Sequence, residues 1–261
     1  MYRDQKVVVV MPAYNAAKTL EETHREVMTQ GVVDLVIVVD DRSRDETAAI
    51  AARLPRTILH VHDHNRGYGG NQKTCYRLAL EHGADLVVMV HPDYQYTPRL
   101  IPAMVAVLGN GLYSCVLGSR ILGGRAIGGG MPWWKYVANR FLTAFSNLLI
   151  GAKLSEYHTG YRAFARPLLE SLPLEKNSDD FVFDNQILAQ ILWQGQTIAE
   201  ITCPTKYFAE ASSIGWGRSV RYGLGCVATA IRFRLARMGL VSASRFAPVE
   251  RATARSATAA S

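Results

Sequence analysis

Several features that define other protein classes are missing from this 261-residue chain. Its four cysteines form no Cys-x-x-Cys pair, which argues against a zinc site or a disulfide framework and suits a reducing cytosol. No apolar run approaches the roughly 18 to 20 residues needed to cross a bilayer. There is no Walker A sequence, which argues against a P-loop NTPase. A strand-like run already begins at Val7, so we expect no signal peptide.

Acidic residues are almost absent after Glu210. Eight of the 29 basic residues but only one of the 22 acidic ones, Glu250, lie beyond it, so this segment carries the whole formal net charge of +7. We therefore expect a neutral body at 1–210, a basic amphipathic helical appendage at 211–245 and a disordered tail at 246–261.

Three short β-branched runs stop abruptly in polar residues. They are Val7 to Asn15 (VVVVMPAYN), Leu35 to Thr47 (LVIVVDDRSRDET) and Leu86 to Tyr96 (LVVMVHPDYQY). Runs of this kind are typical of parallel strands buried on both faces, and ligands bind just beyond the carboxyl ends of such strands. The three ends predict an enzyme cleft for a polar, phosphorylated ligand.

Strand and helix patterns alternate along the chain. Helices are predicted at Ala17–Gln30, Asp45–Leu54, Pro98–Leu108 and Trp133–Ile150, with further strands at Thr57–His64 and Ser114–Gly118. This alternation predicts the α/β class, with a right-handed, doubly wound and mostly parallel sheet flanked by helices. With 49% hydrophobic residues, the chain can bury a substantial core.

Two sequence patterns suggest other functions but do not fit them well. The sequence NRGYGG resembles a dinucleotide-binding glycine motif, but its spacing is wrong and it follows the third strand rather than the first. His60, His62 and His64 alternate along a strand end. Such histidines are more often solvated or hydrogen-bonded than bound to metal.

Six motifs together carry a resemblance to a known family. In chain order they are PAYN, DDRSRDET, the Asn65-Arg66-Gly67 turn, HPDYQ around Asp93 (the Asp93 motif), Gly118-Ser119-Arg120 and HTGYR from His158 to Arg162. They resemble family 2 glycosyltransferases, and within them the dolichyl- or polyprenyl-phosphate mannosyl and glucosyl transferases. The resemblance runs from about Val7 to Ile231. It implies a GT-A fold with a mixed sheet, a nucleotide-sugar donor, Mn²⁺ or Mg²⁺, and inversion at the anomeric carbon.

Residues at the strand ends are the candidates for binding the nucleotide sugar. Tyr14 offers an aromatic face and a hydroxyl to a base or ribose, and Pro12 keeps the strand end free of a backbone donor. By resemblance, Asp41 rather than Asp40 is expected to accept hydrogen bonds from the base or ribose. The alternative is that Asp40, Ser43 and Asp45 only cap the next helix. Amides of the glycine-rich turn are expected to approach the nucleotide. The full predicted set is Pro12, Tyr14, Asn15, Asp40, Asp41, Asn65, Gly67 and Asn71.

The predicted metal ligands are His91, Asp93 and Gln95. A hard cation held by carboxylate oxygen stabilises the charge of a departing diphosphate, which also makes Asp93 catalytic. Related enzymes resemble Asp-x-Asp-x-Gln here, so His91 replaces a carboxylate. Imidazole suits Mn²⁺ better than Mg²⁺ and supplies no negative charge. Metal affinity should therefore be weaker or shifted toward softer ions.

Arginines downstream are the candidates for binding phosphate. Arg120, Arg140 and Arg162 are expected to converge on the cleft, because a guanidinium donates two parallel hydrogen bonds to an oxyanion. A lipid phosphate acceptor is already ionised and needs no general base. A hydroxyl acceptor does need one, and Asp184 is the candidate, although it also suits the role of helix cap.

A basic amphipathic helix is predicted over Ser212 to Leu240. Apolar residues recur there at three- and four-residue steps between arginines, which is typical of helices that lie on anionic membranes. We expect residues 212–240 to hold the protein peripherally at the inner, cytoplasmic face of the membrane. The alternatives are packing on the body, a partner subunit or a homodimer. Nucleic-acid binding is disfavoured because aromatic interleaving and a recognisable module are lacking.

The sequence thus predicts an inverting glycosyltransferase that moves a hexose from a donor of the GDP-mannose or UDP-glucose type to polyprenyl phosphate. One alternative is transfer to a sugar or lipid hydroxyl during polysaccharide or glycolipid synthesis. The other is a non-catalytic nucleotide-sugar-binding subunit, for which His91 would be the sign of lost metal chemistry.

Overall fold

A computed structural model describes residues 1–124, 126–204 and 216–249, and the side chain of Trp216 is not among the described parts. Within these ranges the strands are β1 (Val7–Ala13), β2 (Leu35–Asp40), β3 (Thr57–Val61), β4 (Leu86–Met89), β5 (Cys115–Ser119), β6 (Arg162–Ala165) and β7 (Ile198–Thr202). The helices are α1 (Leu20–Met28), α2 (Thr47–Ala51), α3 (Gly67–Glu81), α4 (Ile101–Gly109), α5 (Trp133–Ile150), α6 (Arg166–Ser171), α7 (Phe183–Trp193) and α8 (Trp216–Arg237).

The seven strands form one mixed sheet in the order β3-β2-β1-β4-β6-β5-β7. Strand β6 runs antiparallel to both of its neighbours, β4 and β5, while the other pairs are parallel. The predicted α/β class and the mostly parallel, mixed sheet flanked by helices are confirmed. Strands β6 and β7 lie beyond the part of the chain in which strands were predicted.

Alternating side chains of β1 explain why the sheet is covered on both faces. Val7, Val9 and Met11 belong to one buried cluster, with α1 and α4, while Val8 and Val10 belong to another, with α3 and α7. All seven residues of β1 are buried. A strand covered on both sides needs a continuous apolar run rather than an alternating one, as Val7 to Met11 provide.

Helix α8 packs on the body of the protein. Its side chains Cys226, Ala230 and Phe233 are buried, and a Cβ at Gly225 would lie only 2.3 Å from Val182 Cγ2. One face of the expected appendage therefore contacts the body near α7, and α8 also packs along α5. Positions 250–261 of the expected tail, and 212–215 of the expected helix, lie outside the described residues.

None of the helices in the described ranges is both long and apolar enough to span a bilayer.

Candidate active site

The carboxyl ends of β1, β2 and β4 open onto a cleft of about 1270 Å³. Most of the predicted site residues line it, although they are far apart in the sequence. Those in the lining are Pro12, Tyr14, Asn15, Asp41, Asn65, Gly67, Asn71, His91, Asp93, Gln95, Arg120 and Asp184. Asp40, Arg140 and Arg162 are not part of it.

Hydrogen bonds connect the loops that follow β1 and β2 beside the cleft. Asn15 adopts a left-handed backbone conformation with φ of +51°, which asparagine tolerates better than most residues. Its backbone N–H donates to Ser43 Oγ at 2.8 Å, and its side-chain oxygen accepts from the N–H of Arg44 at 2.9 Å. The neighbouring Tyr14 is 51% exposed, so its ring is available to stack against a base.

The two consecutive aspartates at the end of β2 differ in position. Asp40 is buried outside the cleft and accepts hydrogen bonds from the N–H and hydroxyl of Ser43, so its position is structural. Asp41 lines the cleft, where its carboxylate accepts from the N–H groups of Arg66 (2.7 Å) and Gly67 (3.0 Å). It also contacts His62 Nδ1 at 2.8 Å, and His62 Nε2 contacts Thr74 Oγ1. His62 is thus held by hydrogen bonds.

The glycine-rich sequence after β3 forms the first turn of α3, which begins at Gly67. The N–H of Gly67 donates to Asp41 and Asn65, and the N–H groups of Gly69 and Gly70 both donate to the Asp179 carbonyl. Because the N–H groups of Gly67 and Gly70 are paired within the protein, these two amides are not free to bind the nucleotide in this structure. A Cβ at Gly69 would lie 2.3 Å from the Ser178 carbonyl oxygen, so this glycine permits close packing instead.

Three polar side chains that line the cleft, those of Asp184, Tyr68 and His91, are hydrogen-bonded in a row. The Tyr68 hydroxyl donates to Asp184 Oδ2 at 2.7 Å and lies 3.0 Å from His91 Nε2. Since the hydroxyl has one proton, His91 Nε2 must carry the hydrogen of the second bond. The lone pair of neutral His91 is then on Nδ1, for which no hydrogen-bond partner exists among the described residues. His91 can therefore offer Nδ1 to a cation.

Asp93 lies in a tight loop after β4. Its Oδ1 accepts from the N–H of Gln95 at 3.0 Å, and the intervening Tyr94 has a left-handed φ of +59°. Among the described residues, no group of three or more His, Cys, Asp or Glu side chains is placed to hold a metal ion. His91, Asp93 and Gln95 nevertheless line the same cleft. Such a partial set fits a cation that takes its remaining ligands from substrate phosphates and water.

The carboxylate of Asp184 is fully engaged. Besides Tyr68 it accepts from Gln72 Nε2 at 3.1 Å, and Arg162 Nη1 lies 3.5 Å from its Oδ1. Burial and the Asp184 carboxylate both raise the pKa of Tyr68 well above its ordinary value, so Tyr68 remains a protonated donor. Acting as a base would require Asp184 to exchange one of these contacts for the acceptor.

The three predicted arginines do not converge. Arg162 is fully buried and donates to the carbonyls of Thr159, Asp184 and Tyr157. Its guanidinium is used for hydrogen bonds to the backbone inside the protein, which is a structural position. Arg140 donates to the Ser155 carbonyl outside the cleft. Arg120 alone of the three reaches the cleft, and α8 adds Arg218.

Arg120 is held against a buried carboxylate. Its backbone N–H and its Nε donate to Glu156 at 2.9 and 2.8 Å, and its Nη2 donates to the His158 carbonyl. Burial alone would raise the pKa of Glu156, but the adjacent Arg120 guanidinium lowers that pKa below its usual value. Glu156 therefore fixes the position of the Arg120 side chain beside the cleft.

Sequence reasoning missed several residues of the cleft, among them Tyr68, His158 and Tyr222. His158 Nδ1 lies 2.6 Å from the Tyr222 hydroxyl of α8, while its buried Nε2 has no partner among the described residues. Burial lowers the pKa of His158 to about 4, so it is neutral at physiological pH. His158 lies within HTGYR and could have been proposed from that motif. Tyr68 carried no signal beyond its place in NRGYGG.

Comparisons with known proteins agree with this geometry. The model of glycosyl transferase family 2 matches residues 8–172. The chain is 29% identical over 185 residues to a UDP-N-acetylglucosamine–dolichyl-phosphate N-acetylglucosaminyltransferase of Methanococcus voltae, covering 65% of this chain and 73% of the relative. It is 24% identical over 203 residues to a polyprenol monophosphomannose synthase of Mycolicibacterium smegmatis, with 76% of each covered.

The fold is shared with a solved enzyme. A crystal structure of glucosyl-3-phosphoglycerate synthase from Mycobacterium tuberculosis, in complex with Mn²⁺, UDP and glucosyl-3-phosphoglycerate, superposes with a TM-score of 0.68 at 20% identity. The superposition covers 92% of this chain and 82% of that one. The family model spans more than half of the sequence and the sheet has the topology expected of it. The chain therefore belongs to glycosyltransferase family 2 and is a glycosyltransferase with the GT-A fold, similar to the dolichyl- and polyprenyl-phosphate branch.

Proposed function

We propose that the protein transfers a hexosyl group from a nucleoside diphosphate sugar to a polyprenyl phosphate, with inversion, at the surface of a membrane. The observation that carries this proposal is the extent of the cleft. It runs from Tyr14 and Asp93 at the sheet edge to Trp134 and Arg218, which belong to two helices with exposed apolar faces.

The strand-end part of the cleft suits the donor. Tyr14 offers a ring to the base, and Asn15 and Asp41 supply polar groups next to it. His91 Nδ1, the Asp93 carboxylate and Gln95 would hold a divalent cation here. When bound, that cation neutralises the charge of the departing diphosphate. The UDP and Mn²⁺ in the structural relative support this assignment.

The opposite part of the cleft suits an anionic acceptor. Arg120, Lys135 and Arg218 line it, and cations of this kind bind phosphate oxygens. A phosphate oxygen that attacks the anomeric carbon in line with the leaving diphosphate is already ionised. This agrees with an Asp184 carboxylate whose two oxygens are hydrogen-bonded within the protein. The names of the relatives supply the same acceptor class.

The surface beside the acceptor end suits a membrane. Trp133, Phe141 and Leu148 of α5 and Val220 and Leu224 of α8 are large apolar side chains exposed to solvent. The exposed Arg218 and Arg221 of α8 lie next to Val220 and Leu224. Apolar side chains can enter the headgroup region while the arginines contact anionic lipids. We therefore place the enzyme as a peripheral protein at the cytoplasmic membrane face, where a lipid phosphate would reach the cleft.

A reconstituted transfer assay tests this function. The purified chain is incubated with undecaprenyl phosphate in anionic vesicles, a panel of UDP- and GDP-hexoses, and Mn²⁺ or Mg²⁺. We expect a lipid-linked monosaccharide with at least one donor, and its loss in Asp93→Ala. The control is Asp63→Ala, because Asp63 is exposed and outside the cleft. Transfer only to hydroxyl acceptors, or equal activity of Asp93→Ala and Asp63→Ala, would show the proposal to be wrong.

A further inference from the structure

A second pocket, of about 290 Å³, lies between the start of α7 and the middle of α8. We call it the α7–α8 pocket. Among the described residues it shares only Asp180 with the cleft, so it is a separate site. The close approach of Gly225 to Val182 fixes its two walls relative to each other. Its lining is Ser178, Asp180, Val182, Gln186, Arg221, Gly225, Ala228, Thr229, Arg232, Arg245 and Phe246.

The pocket concentrates positive charge. Arg221 and Arg232 of α8 and the partly buried Arg245 all line it, and no ion pair of these three arginines exists within the described ranges. Burial and the nearby Arg232 charge both lower the pKa of Arg245. The one carboxylate in the lining, Asp180, accepts from the Phe181 N–H at 2.8 Å. The pocket lining therefore contains three guanidinium groups and one carboxylate, so its net charge is positive.

A buried amide donor lines the same space. Gln186 is only 5% exposed, and its Oε1 accepts from the N–H of Ser178 at 2.7 Å. A backbone N–H can only donate, so this bond fixes which side-chain atom is oxygen and which is nitrogen. The Nε2 group then has no acceptor in the described part of the chain. Gln186 Nε2 is therefore available to donate to a ligand oxygen in the pocket.

We propose that the α7–α8 pocket binds a phosphate group, carried either by a lipid headgroup or by a small soluble phosphate ester. The forked guanidinium groups of Arg232 and Arg245 supply paired donors to phosphate oxygens. Gln186 Nε2 supplies a neutral donor from the opposite wall. The volume is at the lower end of small-molecule sites, so it suits a phosphate with a small organic group. None of these residues belongs to the proposed catalytic machinery.

Calorimetric titration of the full chain with glycerol 3-phosphate in EDTA tests the site, because chelation removes metal-dependent binding in the cleft. Arg232→Gln should weaken binding about tenfold or more, since a hydrogen-bonded charge is lost. The matched control is Arg234→Gln, which removes the same charge from the same helix outside the pocket. Arg234→Gln should bind like the unchanged protein. Equal weakening by both variants, or no binding by the unchanged protein in this or the vesicle experiment, would overturn the proposal.

A vesicle experiment distinguishes the two sources of phosphate. Sedimentation is compared for phosphatidylcholine vesicles with and without phosphatidic acid. If the increase caused by phosphatidic acid needs Arg232 but not Arg234, the ligand is a lipid headgroup. If glycerol 3-phosphate binding needs Arg232 but vesicle binding does not, the ligand is a soluble phosphate ester. Transfer to a water-soluble polyprenyl phosphate should be unchanged in Arg232→Gln, so a failure of this site would leave the proposed function intact.

Discussion

At the scale of single residues, the cleft depends on how His91 is oriented. The Tyr68 hydroxyl fixes the hydrogen on Nε2, and the Tyr68 ring stacks on His91 with centroids 5.3 Å apart. A Cβ at Gly160 would lie 2.9 Å from the imidazole, so the glycine of HTGYR leaves room for His91. A histidine that replaces a carboxylate is thus accommodated by its surroundings, and this disfavours the interpretation of His91 as a sign of lost metal chemistry.

Replacing His91 by aspartate should change the metal preference. His91→Asp supplies a second carboxylate next to Asp93, and hard Mg²⁺ prefers oxygen to imidazole nitrogen. We expect the ratio of Mg²⁺-supported to Mn²⁺-supported transfer to rise about tenfold. Initial rates measured across titrations of both metals check this. An unchanged ratio would mean that His91 does not contact the cation.

Removing the Tyr68 hydroxyl should weaken metal binding without removing the ring. Tyr68→Phe keeps the stacking on Phe181, whose ring centroid lies 4.5 Å away, but frees the imidazole of His91 to turn. Loss of such a supporting hydrogen bond reduces metal affinity about 10- to 100-fold. The measurement is the Mn²⁺ concentration needed for half-maximal transfer.

Tyr76→Phe is the matched control for Tyr68→Phe. Tyr76 is also on α3, and its hydroxyl donates to Gln72 Oε1 at 2.8 Å. Neither Tyr76 nor Gln72 lines the cleft. The Tyr76→Phe variant should lose stability, by about 1 kcal/mol, but keep the Mn²⁺ requirement of the unchanged protein. A similar shift in both variants would mean that the effect comes from general loosening of α3.

At the scale of elements, α8 combines a buried face with an exposed apolar face. Its buried face packs on α5 and α7 through Cys226, Ala230 and Phe233. Its opposite face exposes Leu224 and Ile231 to solvent. Tyr222 and Arg218 extend from the same helix into the cleft. A helix that contacts a membrane on one side would therefore also set the shape of the acceptor end.

An acidic substitution on the exposed face should weaken membrane binding. Leu224 is 66% exposed, so Leu224→Glu leaves the core intact while placing a negative charge next to anionic lipid. We expect at least a fivefold loss of partitioning into anionic vesicles, on the order of 1 kcal/mol. The control is Leu112→Glu, at a leucine that is 70% exposed and outside α5 and α8. Equal effects would place the membrane contact elsewhere.

The sequence predicted elements well where local patterns determine them. Trp133–Ile150 was predicted with the bounds that the structure has, and β1, β2 and β4 follow from their apolar runs. Other elements depend on contacts that no local pattern reveals. Strand β6 has four residues and exists because β4 and β5 both pair with it. The predicted strand Thr57–His64 ends at Val61, since the next residue, His62, turns in to bond Asp41.

Residues of the candidate site likewise differ in whether a local pattern or a distant contact places them. Tyr14 and Arg120 directly follow β1 and β5, and Asp93 comes four residues after β4. These three strands point in the same direction, so their ends lie at one edge of the sheet. Arg162 also looked like a phosphate ligand, because a sequence does not show that its guanidinium will be buried and bonded to backbone carbonyls. Tyr68 and His158 were missed because their contacts are with residues that are far away in the sequence. Their roles arise from the distant partners Asp184 and Tyr222.

At the scale of the whole molecule, acid should destabilise the fold in part through His158. Its folded-state pKa of about 4 lies below the 6.5 of an unperturbed histidine, so the unfolded chain binds more protons between these values. Stability should therefore fall as the pH drops from 7 to 5, by up to about 2 kcal/mol from this residue.

Urea unfolding at pH 7 and pH 5 measures this contribution. His158→Asn should reduce the pH-dependent loss of stability, while His64→Asn, at an exposed histidine, serves as the control. If both variants keep the full loss, groups other than His158 cause it. The buried His24, whose pKa is also lowered by burial, would then be the next residue to replace.

The antiparallel strand β6 has a consequence for synthesis of the chain on the ribosome. Strand β5 emerges early, but both strands that flank it, β6 and β7, begin only at Arg162 and Ile198. Until then β4 has one unoccupied side, and β5 has no neighbour to join. A half-translated chain thus presents bare backbone donors and acceptors of the kind that nucleate aggregation. The nascent protein should need shielding until its last third has been made.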